Sequence, residues 1–185
     1  MHACGHDGHM TMLLGAAKYL ARHRRFSGSL HLIFQPAEER GFDSGGKAMV
    51  DEGLFERFPC DAVYAMHNHP GMPQGRFMLR SGAFMAAGDR VFVKIVGIGG
   101  HAARPHLAVD PLVAASAIVM SLQTVVARNV DPAESAVVTV GRLRAGDALN
   151  VIPDHAEIGI SVRSFSPEMR ALLKQRICAL ISGVA

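Results

Sequence analysis

Five apolar residues near the start of the chain recur at the spacing of one helix face. They are Met10, Leu13, Leu14, Ala17 and Leu20. The spacing i, i+3, i+4, i+7 predicts an amphipathic helix that follows the segment MHACGHDGHM. Asp7 suits its N-cap, and the run 26–28 (FSG) ends it.

Two mostly apolar runs predict buried strands, over residues 29–35 (SLHLIFQ) and 61–66 (DAVYAM). A helix is predicted between them over 47–58. Strand, helix and strand at this spacing predict a βαβ unit with a parallel sheet. Ligands of such sheets collect beyond the carboxyl ends of the strands, where the pair 38–39 (EE) and the run 67–69 (HNH) fall.

A new series of predicted strands and helices begins after a further short strand predicted over 75–81. We therefore place a domain boundary that separates residues 1–86 from residues 87–185. The second domain is predicted to contain a strand, a helix, two strands and a helix. Their ranges are 90–96, 110–128, 136–143, 155–164 and 167–181, with Ser166 capping the last helix. This order is a split βαβ, ferredoxin-like layout that lacks its closing strand.

Composition narrows the class of protein. The 185 residues are 49% hydrophobic, which is enough for a sizeable core and argues against global disorder. Lys plus Arg number 19 against 16 Asp plus Glu, without a basic stripe and interleaved aromatics, so we expect no nucleic-acid partner. No apolar run approaches the roughly 20 residues of a membrane span. Three widely spaced cysteines favour a reducing cytoplasm over a disulfide framework.

Two short motifs in the first domain could bind metal. Cys4 and His6 flank a glycine, so on a turn both side chains can reach one ion, although an exposed mobile terminus is the plainer alternative. Glu38 and Glu39 follow a predicted buried strand, where two adjacent carboxylates repel each other unless a cation or a proton lies between them. One can then coordinate an ion while the other takes a proton from water. A solvated acidic loop is the alternative.

The remaining candidates lie at element ends. His67 ends a predicted strand, and either it or His69 could be a ligand. In the second domain the loop GIGGH projects His101 and lacks the Lys-Ser/Thr of a phosphate-binding loop. Asn150 and Arg163 are further polar candidates, Arg163 being equally suited to a surface salt bridge. Of the ten histidines, we leave five with structural or surface roles. They are His9, His23, His31, His106 and His155.

Five segments in this order resemble one family over essentially the whole chain. They are MHACGHDGHMTMLLGAA, LIFQPAEE, AMHNHPGMPQG, GIGGHAARPH and NVIPD with GISVR. The family is the hippurate hydrolase, auxin-conjugate hydrolase and N-acyl-amino-acid amidohydrolase branch of the di-metal aminoacylase and carboxypeptidase superfamily. The resemblance implies an α/β fold class: part of a di-zinc-peptidase-like catalytic domain, interrupted by a ferredoxin-like lid that forms a homodimer.

The resemblance also assigns roles in the first domain. Cys4 matches the metal-bridging thiolate, and His6, Glu39 and His67 match further metal ligands. Glu38 matches the general base. The cofactor implied is a pair of divalent ions, with manganese, zinc, cobalt and nickel all open.

In the lid, His101 resembles the histidine that reaches the active site of the partner subunit and polarises the scissile carbonyl. Asn150 and Arg163 resemble residues that contact the substrate. Arg163 is the candidate that binds the carboxylate of the substrate. The implied activity is hydrolysis of the amide bond of an N-acyl amino acid or a related acylated small molecule.

Such enzymes carry more catalytic domain on both sides of the part seen here, including one further metal-ligand histidine. Both ends of the chain are therefore expected to be cut. The alternative is a catalytically inactive truncated fragment that acts only as a dimerising module. Metal content separates the two hypotheses.

Overall fold

The computed structural model of the protein describes residues 4–185, so the first three residues of the opening motif lie outside it. The chain divides into two units, Met1–Arg76 and Phe77–Ala185. The boundary predicted between residues 86 and 87 falls later, where the first strand begins. As a boundary between functional domains it stays a prediction.

Helices carry the regular structure of the first unit. α1 spans His6–Arg22, α2 spans Gly45–Asp51 and α3 spans Leu54–Arg57, with a 3₁₀ segment over Glu38–Asp43. The helix predicted over 47–58 is thus two helices. They are separated at Gly53, whose φ of 83° is left-handed and ends the helical path.

The start of α1 differs from the expectation in one respect. The helix begins at His6, and its N-cap is Gly5 with φ 80° rather than Asp7, which lies in the first turn. Asp7 places a carboxylate where the helix dipole favours negative charge, so it stabilises the helix without capping it.

The strands predicted over 29–35, 61–66 and 75–81 are wrong for this structure. Between residues 4 and 86, no segment forms a ladder with another. A run of apolar residues marks a surface to be buried, but a strand also needs a neighbour for its N–H and C=O groups. Consistent with this, Phe34, Val63 and Tyr64 are exposed.

The second unit forms the predicted split βαβ layout. Its long elements are β1 (Ala87–Val96), α4 (Pro111–Asn129), β3 (Ala136–Ala145), β5 (His155–Ser164) and α5 (Pro167–Val184). Two short strands, β2 (Gly100–His101) and β4 (Val151–Ile152), form a separate ribbon. In the main sheet β5 lies between β1 and β3 and is antiparallel to both. The predicted order of long elements is confirmed.

The sheet has one covered face and one open face. Alternate residues of β5, from Ala156 to Ser164, are buried beneath α4 and α5. Their neighbours from His155 to Arg163 point to the other side. A bulge at Gly141 shifts the register of β3, so that Arg142 lies opposite Gly159 on the open face.

The helices that cover the sheet have clear start signals. Asp110 accepts hydrogen bonds from the N–H groups of Leu112 and Val113, and Ser166 accepts one from Met169 N–H. The helix α4 is long and apolar enough to cross a membrane by length and composition. Its buried residues recur on one face, however, and pack into the core of this unit.

One ion pair ties β1 to α5. The Arg170 Nη2 atom lies 2.6 Å from Asp89 Oδ1 and its Nε lies 2.8 Å from Oδ2, so the pair is bidentate. The hydrogen bonds from Arg170 hold the pKa of Asp89 below its usual value of 3.8.

We predict that Leu173→Ala lowers the free energy of unfolding of the second unit by about 2–5 kcal/mol, because its side chain is fully buried and leaves a cavity. Leu149→Ala is the matched control, since Leu149 is fully exposed. Urea denaturation followed by circular dichroism measures both. Equal effects of the two variants would contradict the assigned core.

The ion pair generates a pH-dependent prediction. Because the folded-state pKa of Asp89 is lowered, the pair stabilises the fold above pH 3.8 and this contribution disappears as the pH falls through the folded pKa. Asp89→Asn is therefore expected to be less stable than the wild type at pH 7. The difference should shrink at pH values below the usual carboxyl range. Denaturation midpoints measured across this range test it, with the exposed Asp147→Asn as a control whose difference from wild type stays small.

Candidate metal centre and lid residues

Three predicted ligands of the first unit converge at the start of α1. One ligand atom each from Cys4, His6 and Glu39 lies within 4.8 Å of the other two. Thiolate, imidazole and carboxylate are the ligand types of zinc and of related divalent ions. The structure thus brings together residues that are separated by more than thirty positions in the sequence.

Local backbone conformation makes this convergence possible. Gly5 adopts a φ of 80°, which turns the chain sharply between Cys4 and His6. A Cβ atom at Gly5 would lie 2.5 Å from the Asn68 side-chain amide, so no larger residue fits without displacing Asn68. The carboxylates of Glu38 and Glu39 lie at the start of the 3₁₀ segment. The residue before that segment, Ala37, has a left-handed φ of 51°.

The separations among these side chains are compatible with ligands of a shared cation. The His6 Nε2 atom lies 3.5 Å from Glu38 Oε2 and 3.6 Å from Glu39 Oε1, beyond the usual hydrogen-bond range. Cys4 Sγ lies 3.3 Å from His67 Nε2. Sulfur and nitrogen ligands of one tetrahedral zinc, at about 2.3 Å and about 2.0 Å from it, lie about 3.5 Å apart.

His67 joins the group with its free nitrogen towards Cys4. Its Nδ1 atom lies 2.7 Å from the carbonyl oxygen of Asn68, and this contact requires a proton on Nδ1. The Nε2 lone pair is then available, and in this structure it accepts from the Cys4 thiol. Metal-binding histidines are commonly oriented by a backbone carbonyl in this way.

Glu38 lies beside the ligand group but not within the cluster formed by Cys4, His6 and Glu39. Its side chain is 58% exposed, so water reaches it freely. A carboxylate next to a ligand set and open to water can accept a proton from that water. Glu39 lies within that cluster and Glu38 beside it, and the assignment of Glu38 as the base and Glu39 as the ligand stays a prediction.

In the second unit, His101 is presented by the ribbon of β2 and β4. His101 lies opposite Val151, and the Ala102 N–H donates to the Asn150 carbonyl. Ala103 N–H donates to His101 Nδ1 at 3.1 Å, which leaves the ring proton on Nε2. A neutral His101 in this tautomer can donate a hydrogen bond to an oxyanion.

His101 also borders an open cavity with a volume of about 1090 Å³. Its wall continues along the segment from Leu143 to Ala148 and the segment from Val151 to His155. Asp154 lies there, 2.6 Å from His155 Nδ1, and this hydrogen bond holds the pKa of Asp154 below its usual value.

Arg163 lies at the other end of the sheet. It pairs with Gly88 of the neighbouring strand β1, and its guanidinium fills the space where a side chain of Gly88 would lie. Arg163 forms no ion pair with any residue that the structure describes, whereas Arg142 and Arg170 do. Eight residues of strand separate it from His155, a distance of about 27 Å. The structure does not bring Arg163 together with His101 and Asn150.

Two residues of the first unit that the sequence did not assign lie in contact with the predicted ligands. His9 lies three positions after His6 on the same face of α1, with its ring 4.2 Å from that of His67. Asn68 contacts His9 through both its backbone N–H and its side chain. The spacing of three residues between His6 and His9, at the start of a predicted helix, could have indicated from the sequence that the two side chains share a face. The backbone contact of Asn68 has no such signal.

Comparisons with known proteins show the family of the chain. The family model described as "Peptidase family M20/M25/M40" matches residues 1–182. A hippurate hydrolase of Campylobacter jejuni is 50% identical over all of this chain, which covers 48% of that relative. An N-acetyl-L-cysteine deacetylase of Bacillus subtilis is 44% identical, again over all of this chain and over 44% of its own length.

Among solved structures, the Bacillus subtilis YXEP protein is described as a dinuclear metal binding peptidase from the M20 family. It superposes with a TM-score of 0.74 at 34% identity, over all of this chain and 45% of its own. The chain therefore belongs to peptidase family M20/M25/M40, a family of hydrolases, and has its α/β fold. It spans about half the length of the curated relatives it matches.

Proposed function

We propose that the protein is a metal-dependent amidohydrolase that cleaves the amide bond of N-acyl amino acids. The observation that carries this proposal is the convergence of Cys4, His6, Glu39 and His67 beside the water-accessible carboxylate of Glu38. The relatives named for hippurate and N-acetyl-L-cysteine, both acylated amino acids, support the substrate class.

Cys4, His6, Glu39 and His67 would hold the two divalent ions that the family resemblance implies, with manganese, zinc, cobalt and nickel all compatible with these ligand types. Such ions supply Lewis acidity to the substrate carbonyl and acidify a water molecule. Glu38 takes a proton from the attacking water as the C–O bond forms, and then delivers it to the leaving nitrogen as the C–N bond breaks. The products are a carboxylate and a free amino acid.

The lid residues supply binding and oxyanion stabilisation. The Nε2–H of His101 donates to the carbonyl oxygen as negative charge develops there. Arg163 holds the substrate carboxylate. The open face of the sheet favours an anionic substrate, because its strands carry five cationic residues and one carboxylate on that face. The carboxylate is Glu157, and the cations are Arg90, Lys94, Arg142, Arg144 and Arg163.

The separation of His101 and Arg163 supports a homodimer. Arg163 lies about 27 Å along β5 from His155, which borders the same cavity as His101, so one small substrate cannot contact both His101 and Arg163 of one chain. If both act on one substrate, one chain supplies His101 and its partner supplies Arg163. As part of the same proposal, we place the protein in the cytoplasm, since Cys4, Cys60 and Cys178 are all free thiols.

Glu38→Gln is expected to lower turnover of an N-acyl amino acid such as hippurate by about 10²–10⁴-fold while the metal content stays near that of the wild type. The reason is that glutamine keeps the shape of the side chain but accepts no proton. Elemental analysis and release of the free amino acid measure the two quantities. Near-normal turnover would contradict the proton-transfer role.

Two controls accompany this variant. Glu39→Gln removes a carboxylate from the ligand group and should lose metal as well as turnover. Glu52→Gln, at the end of α2 and in none of the contacts described for the ligand group, should change neither quantity. If the wild-type chain binds no metal tightly, the alternative of a catalytically inactive dimerising module is favoured instead.

A mixing experiment tests the shared site. His101→Ala and Arg163→Gln chains are each expected to be inactive alone, whereas a refolded equimolar mixture should recover about a quarter of wild-type turnover. Half of the dimers are then mixed, and one of their two sites holds both intact residues. No recovery in a mixture shown to contain mixed dimers would mean that both residues serve one site from the same chain.

A further inference from the structure

We infer that His9 is a positioning residue for the metal ligand His67, acting through the backbone of Asn68. This inference rests on the proposed function, because it concerns the same ligand group. It assigns a role to His9, a residue of the opening motif that the sequence analysis left with the structural histidines.

The link begins at the Asn68 backbone N–H. This group donates to His9 Nε2 at 3.1 Å, so Nε2 is unprotonated and the ring proton of a neutral His9 is on Nδ1. The Asn68 Oδ1 atom lies 2.7 Å from the same nitrogen. Oδ1 and an unprotonated Nε2 are both acceptors, so the arrangement requires the flipped side-chain amide, in which the NH₂ group and the backbone N–H of Asn68 both donate to the Nε2 lone pair.

The link continues on the other side of the same residue. The carbonyl of Asn68 accepts from His67 Nδ1–H at 2.7 Å, which directs the Nε2 lone pair of His67 towards Cys4. His9 thus fixes the N–H side of Asn68, and the carbonyl side of Asn68 fixes the tautomer and orientation of His67. The ring of His9 also packs on that of His67, with centroids 4.2 Å apart at 54°.

His9 does not fit the role of a fifth ligand in this arrangement. Its Nε2 lone pair is occupied by Asn68, and its Nδ1 carries the proton. The location of His9 in the first turn of α1 ties it to His6, whose ring centroid lies 5.5 Å away. One helix turn therefore supplies both a ligand and the support for a second ligand that is 58 positions further along from His9.

Two substitutions separate the hydrogen bond from the packing. His9→Phe keeps a ring of similar shape but has no acceptor, whereas His9→Gln keeps an acceptor oxygen. His23→Phe is the matched control, because His23 lies just beyond the end of α1 and stacks on Tyr19 outside the ligand group.

The first measurement is cobalt binding, followed by the absorption bands of thiolate-ligated Co²⁺. His9→Phe is expected to bind Co²⁺ about 10- to 100-fold more weakly than the wild type with the ligands Cys4, His6, Glu39 and His67 all unchanged. His9→Gln and His23→Phe should stay within about threefold of the wild type. If His9→Phe binds cobalt as tightly as His23→Phe, the inference is overturned.

The second measurement needs no metal. Hydrogen exchange of the Asn68 amide, followed by NMR, should be slow in the wild type and in His9→Gln and fast in His9→Phe. Unchanged exchange in His9→Phe would overturn the inference. Loss of protection in that variant, together with no cobalt binding by the wild type, would sustain the link to His67 and contradict the proposed metal-dependent function.

Discussion

The packing of one face of β5 against α4 and α5 determines the second unit. β5 has a neighbour on each side, and its alternate residues from Ala156 to Ser164 are buried. Because the covered face cannot shift by one residue without exposing this row, the register of the sheet is fixed. The fixed register in turn places the ribbon that carries His101 at one end of β5 and Arg163 at the other. Burial on one face thereby dictates where the candidate chemistry lies on the rest of the unit.

The contrast between the two units shows what a sequence pattern can predict. The elements of the second unit agree with their predicted ranges to within a few residues, because each strand pairs with another strand that the chain itself contains. In the first unit the apolar runs 29–35 and 61–66 carry the composition of strands but form no ladder among the described residues. Local pattern reports the tendency to be buried, whereas strand formation also depends on a partner.

The ligands of the candidate metal centre could be proposed from the sequence, whereas the residues that support them could not. Cys4, His6, Glu39 and His67 are residue types with strong chemistry in short motifs, so they can be identified from the sequence and by resemblance. His9 was left with the structural histidines. Its role depends on the N–H group of Asn68, 59 positions away, which every residue except proline has and which therefore leaves no trace in the sequence.

A common principle governs the three histidines discussed. His67 donates to a backbone carbonyl, while His9 and His101 each accept from a backbone N–H. Main-chain groups do not change with the side chains around them, so they fix a tautomer more durably than a side-chain partner could. The two directions of donation suit the two proposed tasks, in which His67 would keep a lone pair for a cation and His101 a proton for an oxyanion. Backbone geometry thus decides which histidine can act as a ligand and which as a donor.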